Sequence, residues 1–404
     1  MKKIYYENQY IKEFITNIIK VKNCDEKHHV VLEETAFFPG GGGQFCDLGF
    51  IGDEKVIDVY EDNGLVYHVL ENEPIKKEGI TCSLDWERRK DGMDQHLGQH
   101  VLSGCFFKLF NANTVSFHLG KEVSTVDIVG NLEEEQIRKA EIFANEVIGK
   151  GLNVEGIVPP REELGTLGLR RALPNTEEEI RVLKVGDLDI NACCGVHPKS
   201  TMELRLIKIK KWEKNKGATR IEFLAGKRAI DDSLKRDKYL NELCRYLNTN
   251  DVEALNRVKN LENEVREILD ENKKINDEMS IFESINLLKQ GEKIEGYTLI
   301  KNVYKNKDLK YIRKVIERLI ENESTVVLIG NENKDKANLI FAASKNFELV
   351  GMNTLLKELI SLIHGKGGGN SFLAQGTGKN EKVEEVLEYG INKVKNYIMS
   401  NINS

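Results

Sequence analysis

His96 and His100 stand four residues apart in a proline-free stretch, 87–109, whose pattern predicts a helix. Both imidazoles then project from one face and can reach one ion. Far along the chain, Cys193-Cys194-Gly195-Val196-His197 offers a thiolate and an imidazole after a predicted β-hairpin. The two pieces together supply His, His, Cys and His, a nitrogen and sulfur set that suits Zn²⁺. Cys193 is the preferred ligand, although the spacing of Cys194 to His197 is also stereochemically able to bind. Four protein ligands are typical of structural zinc, so ligand count alone does not imply catalysis. The helix lacks the glutamate of His-Glu-x-x-His, which argues against a zincin-type peptidase.

Two glycine-rich runs are the other chemical features. Thr35-Ala36-Phe37-Phe38-Pro39-Gly40-Gly41-Gly42-Gly43-Gln44 lacks the Gly-Lys-Ser/Thr ending of a phosphate-binding loop and opens no predicted helix. Its glycines, Gly41, Gly42 and Gly43 among them, expose bare backbone N–H groups to a substrate, while Thr35 and Gln44 offer side-chain hydrogen bonds at the two ends. The second run, Gly365-Lys366-Gly367-Gly368-Gly369, lies between two predicted helices with Lys379 nearby. As a loop, Lys366, Gly367 and Gly368 could cradle an RNA phosphate backbone.

The elements that must carry these residues divide the chain into four expected domains. Residues 1–80 are β-rich, with a hairpin at Asp62-Asn63-Gly64. Residues 81–226 form an α/β zinc-binding subdomain: a helix at 87–109, a second at 132–148 with Asn131 as expected N-cap, then strands at 181–185, 188–192, 203–212 and 219–224. Residues 227–292 are polar and helical, broken at Asn248-Thr249-Asn250-Asp251, which predicts a helical hairpin. In its second helix Ala254, Val258, Leu261, Val265, Ile268, Asn272, Ile275, Met279 and Phe282 alternate steps of four and three, a coiled-coil seam that needs a partner. Residues 293–404 return to α/β. The fold class expected is therefore α+β followed by a helical hairpin or coiled coil and a C-terminal α/β domain.

Composition narrows the function. The 404 residues are 40% hydrophobic and 31% charged, and a net charge of −6 removes the basic footprint of a general nucleic-acid binder, so any RNA site is a local patch. No apolar run approaches the ~20 residues of a membrane span, and the N-terminus shows no apolar signal core. A cytoplasmic protein is expected. Seven cysteines are too few and too scattered for a disulfide scaffold.

Taken in order, Thr35 to Gly49 (TAFFPGGGGQFCDLG), Gln95 to Ser103 (QHLGQHVLS), Ser116 to Gly120 (SFHLG) and Cys193 to His197 (CCGVH) resemble the editing domain of alanyl-tRNA synthetase and its freestanding AlaX relatives. Gly217 to Gly226 resembles the end of that domain, and His364 to Gly378 (HGKGGGNSFLAQGTG) resembles the glycine-rich C-terminal domain that follows a coiled coil in the synthetase. The likeness covers nearly the whole chain and leaves no room for aminoacylation, so it points to a long-form AlaX.

The resemblance implies a trans-editing hydrolase that deacylates tRNA(Ala) mischarged with serine or glycine and spares Ala-tRNA(Ala). It carries the metal motif onto His96, His100, Cys193 and His197, and strengthens the choice of Cys193. It assigns catalytic roles to Thr35, aligned with a threonine that hydrogen-bonds a serine hydroxyl, and to Gln44. The synthetase motif usually reads Cys-Gly-Gly-Thr-His; here Cys194 and Val196 replace a glycine and the threonine, and Val196 has no side-chain hydrogen bond to offer. The expected partners are tRNA(Ala) and a second copy of the chain, through the coiled coil and C-terminal domain. Competing classes are a non-catalytic tRNA-binding protein with structural zinc and a metallohydrolase acting on small esters or amides.

Overall fold

Helix α1 (Trp86–Phe110) starts where the Asp85 carboxylate accepts the Arg88 N–H and stops at Asn111, whose left-handed conformation ends the hydrogen-bond ladder. The computed structural model describes residues 1–24, 27–173, 176 and 179–402, which divide into two compact units, Met1–Arg245 and Tyr246–Ser404. Seven α-helices and several sheets make up the described residues. None of the described helices is long and apolar enough to cross a membrane.

In the first unit, seven antiparallel strands form one sheet in the order Glu13–Thr16, Ile80–Leu84, Gly49–Ile51, Glu54–Asp62, Leu65–Leu70, Lys27–Leu32 and Ile18–Cys24. The tight turn at Asn63 and Gly64 has positive φ at both residues, the twist that suits a two-residue hairpin. A four-stranded antiparallel sheet follows, ordered Thr114–Leu119, Ser124–Val129, Ala218–Ala225, Ile207–Asn215, and a three-stranded one, Val154–Ile157, Val182–Val185, Asp189–Ala192. Helices α1 and α2 (Glu134–Lys150) bury Leu97, Val101, Phe106, Ile137 and Ala144 with Ile221 and Phe223 of the four-stranded sheet.

Two local expectations need correction. The N-cap of α2 is Glu133, whose N–H is taken by the Gln136 side chain, and Asn131 lies outside the helix. Glu203 belongs to a short 3₁₀ turn, Thr201–Leu204, because Ser200 caps that turn before the strand begins at Ile207. Helix α3 (Lys227–Leu247) carries the boundary of the first unit, which falls after Arg245.

The second unit contains α4 (Ala254–Gln290), α5 (Leu309–Ile320), α6 (Met352–Ile360) and α7 (Val383–Ile402). Its six strands run in the order Glu292–Ile294, Tyr297–Lys305, Thr325–Glu332, Lys336–Ala343, Leu373–Lys379, Lys366–Gly369. Only the pair Tyr297–Lys305 and Thr325–Glu332 is parallel. Val327 and Ile329 pack with α5 on one face, and Val326 and Leu328 pack with α6 and α7 on the other, so the central strand is buried on both sides.

Helix α4 does not turn its apolar seam toward α5. The face it buries carries Ser280, Ser284 and Leu287, with Arg318 donating to Ser280 Oγ, whereas Val258, Val265, Ile268, Ile275, Met279 and Phe282 stay exposed. The run Lys366–Gly369 is an edge strand rather than a loop. Its glycines serve close approach: a Cβ on Gly367 would lie 2.6 Å from Gly376 Cα, and one on Gly376 would lie 2.3 Å from Ile360 Cδ1 of α6.

Close approach also decides the effect of substitutions in the first unit. A Cβ on Gly98, in the middle of α1, would lie 2.6 Å from Ala225 Cβ, while one on Gly149 of α2 meets nothing within 4 Å. Gly149→Ala is therefore expected to stabilise by about 0.5–1 kcal/mol through helix propensity. Gly98→Ala should destabilise by about 1–3 kcal/mol through overpacking, and urea unfolding of the two variants checks the opposite signs.

Candidate metal centre

Sixteen of the 25 residues of α1 are buried, and many of them are polar. A buried polar side chain needs a partner, and each of these finds one on another segment or along the helix itself. Arg89 holds Asp47 and the Gln9 carbonyl; Gln95 exchanges two hydrogen bonds with the Ala225 backbone. His96 and His100 are tied in the same way.

The His96 Nδ1–H donates to Gln44 Oε1 at 3.1 Å, and the same oxygen accepts the Val196 N–H at 3.0 Å. Gln44 thereby joins the glycine loop, α1 and the Cys193–His197 segment. Gly195 has no room for a side chain there, since a Cβ would fall 2.4 Å from the His96 ring. The His100 Nδ1–H donates to Asp189 Oδ2 at 3.0 Å, and Arg170 holds the other carboxylate oxygen at 2.7 Å. With each Nδ1 occupied, the Nε2 atoms of both histidines are the ones left to bind an ion.

Cys193 Sγ lies 3.5 Å from His96 Nε2 and 3.6 Å from His197 Nε2, and one ligand atom from each of His96, His100, Cys193 and His197 falls within 4.8 Å of the others. A tetrahedral Zn²⁺ with ordinary Zn–S and Zn–N bonds spaces sulfur and nitrogen about 3.5 Å apart. Two buried ring nitrogens of the cluster, His100 Nε2 and His197 Nδ1, have no hydrogen-bond partner. The donor set and its spacing fit zinc.

The electrostatics point the same way. Burial by itself pushes the Cys193 thiol up, but the imidazoles of His96, His197 and His100 more than reverse this and hold it well below the usual thiol value. His197 is pushed down to about 3 by burial, which keeps it neutral. Burial also opposes a charged His100, yet Cys193 and Asp189 raise it to about 9. A field that favours a proton on His100 favours a metal cation equally.

Cys194 points elsewhere. Its Sγ packs against the glycine loop, 3.3 Å from where a Gly41 Cβ would sit and 3.4 Å from that of Gly42. Gly40, Gly41, Gly42 and Gly43 all have positive φ. The N–H groups of Gly41 and Gln44 close the loop on each other's carbonyls, which leaves those of Gly42 and Gly43 outside the bonded pair. A cavity of about 300 Å³ opens on the cluster, with Gly42, His96, Gln99, His100, Phe117 and Cys193 in its wall. A larger cavity, about 740 Å³, lies toward the start of α1. Its charges are mostly paired with one another, Arg228 with Asp91, Lys227 with Asp231 and Lys90 with Asp94, and it holds no ligand cluster.

Two of the expected site residues are tied into the fold. Thr35 is fully buried and does not line the cavity at the cluster. His68 donates Nδ1–H to the Val30 carbonyl, so its Nε2 accepts the Thr35 hydroxyl at 2.8 Å, and the same hydroxyl oxygen accepts the Phe37 N–H. No lone donor remains for a substrate. Gln44 spends its carbonyl oxygen on His96 and Val196. Lys366, Gly367 and Gly368 lie on the edge strand of the second unit.

Over 98% of its length the chain is 34% identical to the alanyl-tRNA editing protein AlaX-L of Pyrococcus horikoshii, and it spans 99% of that protein. The chain belongs to the AlaX family. AlaX-L is not its only relative: the alanine–tRNA ligase of Pyrococcus abyssi is 30% identical over 95% of the chain. The chain spans only 43% of that ligase. Residues 180–222 match the threonyl and alanyl tRNA synthetase second additional domain, and residues 296–397 match the DHHA1 domain. Among solved structures, the C-Ala domain of Aquifex aeolicus alanyl-tRNA synthetase is 25% identical over 25% of the chain and 96% of that domain, with a TM-score of 0.23.

Asp189, Arg170 and Gln99 were not singled out from the sequence. Asp189, Asn191 and Cys193 alternate along one strand and its exit, and Gln99 stands three residues after His96 on the same helix face, so both carried a periodic signal.

Three outcomes follow from this geometry. Gln44→Leu should weaken zinc retention about 10–100-fold in chelator competition. Cys193→Ser should lose the metal, whereas Cys194→Ser should keep it. His68 is depressed to about 4 by burial, below its unfolded value near 6.5, so the unfolded chain takes up the proton first and stability falls as pH drops from about 6.5 to about 4. Over that window wild type should lose roughly 3 kcal/mol relative to His68→Gln in urea unfolding.

Proposed function

We propose that the chain is a zinc-dependent trans-editing enzyme that hydrolyses the ester of Ser-tRNA(Ala), accepts Gly-tRNA(Ala) as a second substrate and spares Ala-tRNA(Ala). Membership of the editing family makes it an aminoacyl-tRNA deacylase, a carboxylic ester hydrolase. The observation that carries the finer reading is a His₃Cys set of which His96, His100 and Cys193 stand in the wall of a cavity beside a loop of bare glycine backbone. A purely structural zinc has no need of such a cavity.

An aminoacyl ester is already activated, so the protein has mainly to hold it in place and stabilise charge on its carbonyl oxygen. A bound Zn²⁺ supplies Lewis-acid polarisation. Gln44 and Asp189 keep two imidazoles in the ligating tautomer, and Gly42 brings bare backbone to the cavity wall. Phe117, which packs beside the His96 ring, supplies an apolar wall that helps exclude water.

The second unit is the proposed holder of tRNA(Ala), through the exposed Lys366 on its edge strand, with an affinity that falls as salt rises. A second copy of the chain is the proposed cover for the exposed apolar residues of α4, which would make a homodimer. The four-ligand count favours one other reading, a non-catalytic tRNA binder with structural zinc.

Release of labelled serine from Ser-tRNA(Ala), beside Ala-tRNA(Ala), separates the two. Fast serine release, spared alanine and an inactive His96→Ala/His100→Ala variant are the expected outcome. Binding of tRNA with both esters intact would transfer the assignment to the structural-zinc reading.

A further inference from the structure

Gln99 lies on α1 one residue before His100, is 2% exposed, and lines the cavity with the metal ligands. Its amide stands at the end of a hydrogen-bonded chain. Arg170 can only donate, and it gives an N–H to Thr114 Oγ1; Thr114 in turn gives its hydroxyl hydrogen to Ser103 Oγ at 2.7 Å. Ser103 Oγ takes a second hydrogen from Gln99 Nε2, also at 2.7 Å. The amide nitrogen stands at Ser103, and Gln99 Oε1 is buried with no hydrogen-bond partner. A buried carbonyl oxygen without a donor costs roughly 1–3 kcal/mol, and such an atom in a cavity wall calls for a donor from the ligand.

We infer that Gln99 Oε1 accepts the side-chain hydroxyl of the seryl group and is the residue that separates serine from alanine. This rests on the deacylase reading above. The seryl ester offers two donors, an α-ammonium and a hydroxyl. A neutral amide oxygen suits the neutral one, while the Glu179 carboxylate in the same wall suits the cation. Thr35, the other oxygen expected to meet that hydroxyl, is fully buried and outside the wall of this cavity.

The same atom ranks the three esters. Serine pairs Oε1. Glycine has no Cβ and leaves room for a water to do so. Alanine places a methyl group there, blocks the water and leaves the oxygen unpaired, which is the kind of mismatch that rejects a substrate strongly.

The test uses the full-length zinc-loaded chain with Gln99→Leu, which removes the acceptor at similar volume, and Gln99→Glu, which keeps one. kcat/KM is measured on Ser-, Gly- and Ala-tRNA(Ala), together with affinity for the non-hydrolysable 3′-seryl and 3′-alanyl amides of 3′-amino-3′-deoxyadenosine. Gln99→Leu should lose about 10–100-fold on Ser-tRNA(Ala) and stay within a few-fold on the other two. It should bind the seryl amide no better than the alanyl amide, with zinc content and Tm close to wild type. Gln99→Glu should retain the serine preference. An unchanged Ser/Ala ratio in Gln99→Leu, or an equal loss on all three esters, would overturn the assignment while leaving the deacylase reading standing. Wild type that leaves all three esters intact would overturn both.

Discussion

A helix that is buried almost all round and yet rich in polar side chains has to be satisfied by the rest of its domain, and α1 is such a helix. Its polar groups reach outward to strands and loops distant in sequence. Arg89 fixes the loop around Asp47, Gln95 pairs with the backbone at the end of the four-stranded sheet, His96 takes Gln44 and His100 takes Asp189. Remove those partners and the helix would carry unpaired groups into the core at a cost of roughly 1–3 kcal/mol each. The candidate metal centre is therefore part of the network that assembles the first unit.

Gln44 shows how closely the two roles are joined. One carbonyl oxygen satisfies a helix side chain and the backbone of the ligand-bearing loop at once. The glycine loop that carries it must bend through four consecutive positive-φ residues to bring that oxygen there, and Gly195 must lack a side chain to let the loops meet. The glycines of the second unit answer a different demand. Gly367 and Gly376 are extended, and they matter because two strands and α6 approach more closely than a Cβ allows.

Chemistry in the cavity follows from which polar atoms the fold has already used. Thr35 Oγ1 is spent within the first sheet, Gln44 Oε1 on a ligand and a backbone N–H, and Asp189 on His100 and Arg170. Gln99 Oε1 is not spent. Specificity in a small pocket depends on such leftovers, because an unpaired buried oxygen penalises every ligand that cannot supply a donor.

Features set by local spacing were legible in the sequence. The shared face of His96 and His100, the hairpin at Asn63-Gly64 and the central strands of the second unit follow from spacing and turn chemistry acting over a few residues, and the helix over 87–109 from a run without proline. Long-range facts were not legible. That Thr35 is claimed by His68, that Asp189 backs His100, and that Lys366–Gly369 is an edge strand each depend on a segment many residues away. The seam of α4 makes the same point, since its repeat is plain in the sequence but the face packed on α5 is the one carrying Ser280, Ser284 and Leu287. Residue type and spacing determine what a side chain can bind. Only the tertiary structure decides whether its hydrogen bonds have already been taken, because each donor or acceptor can be used up by a partner that no local pattern reveals.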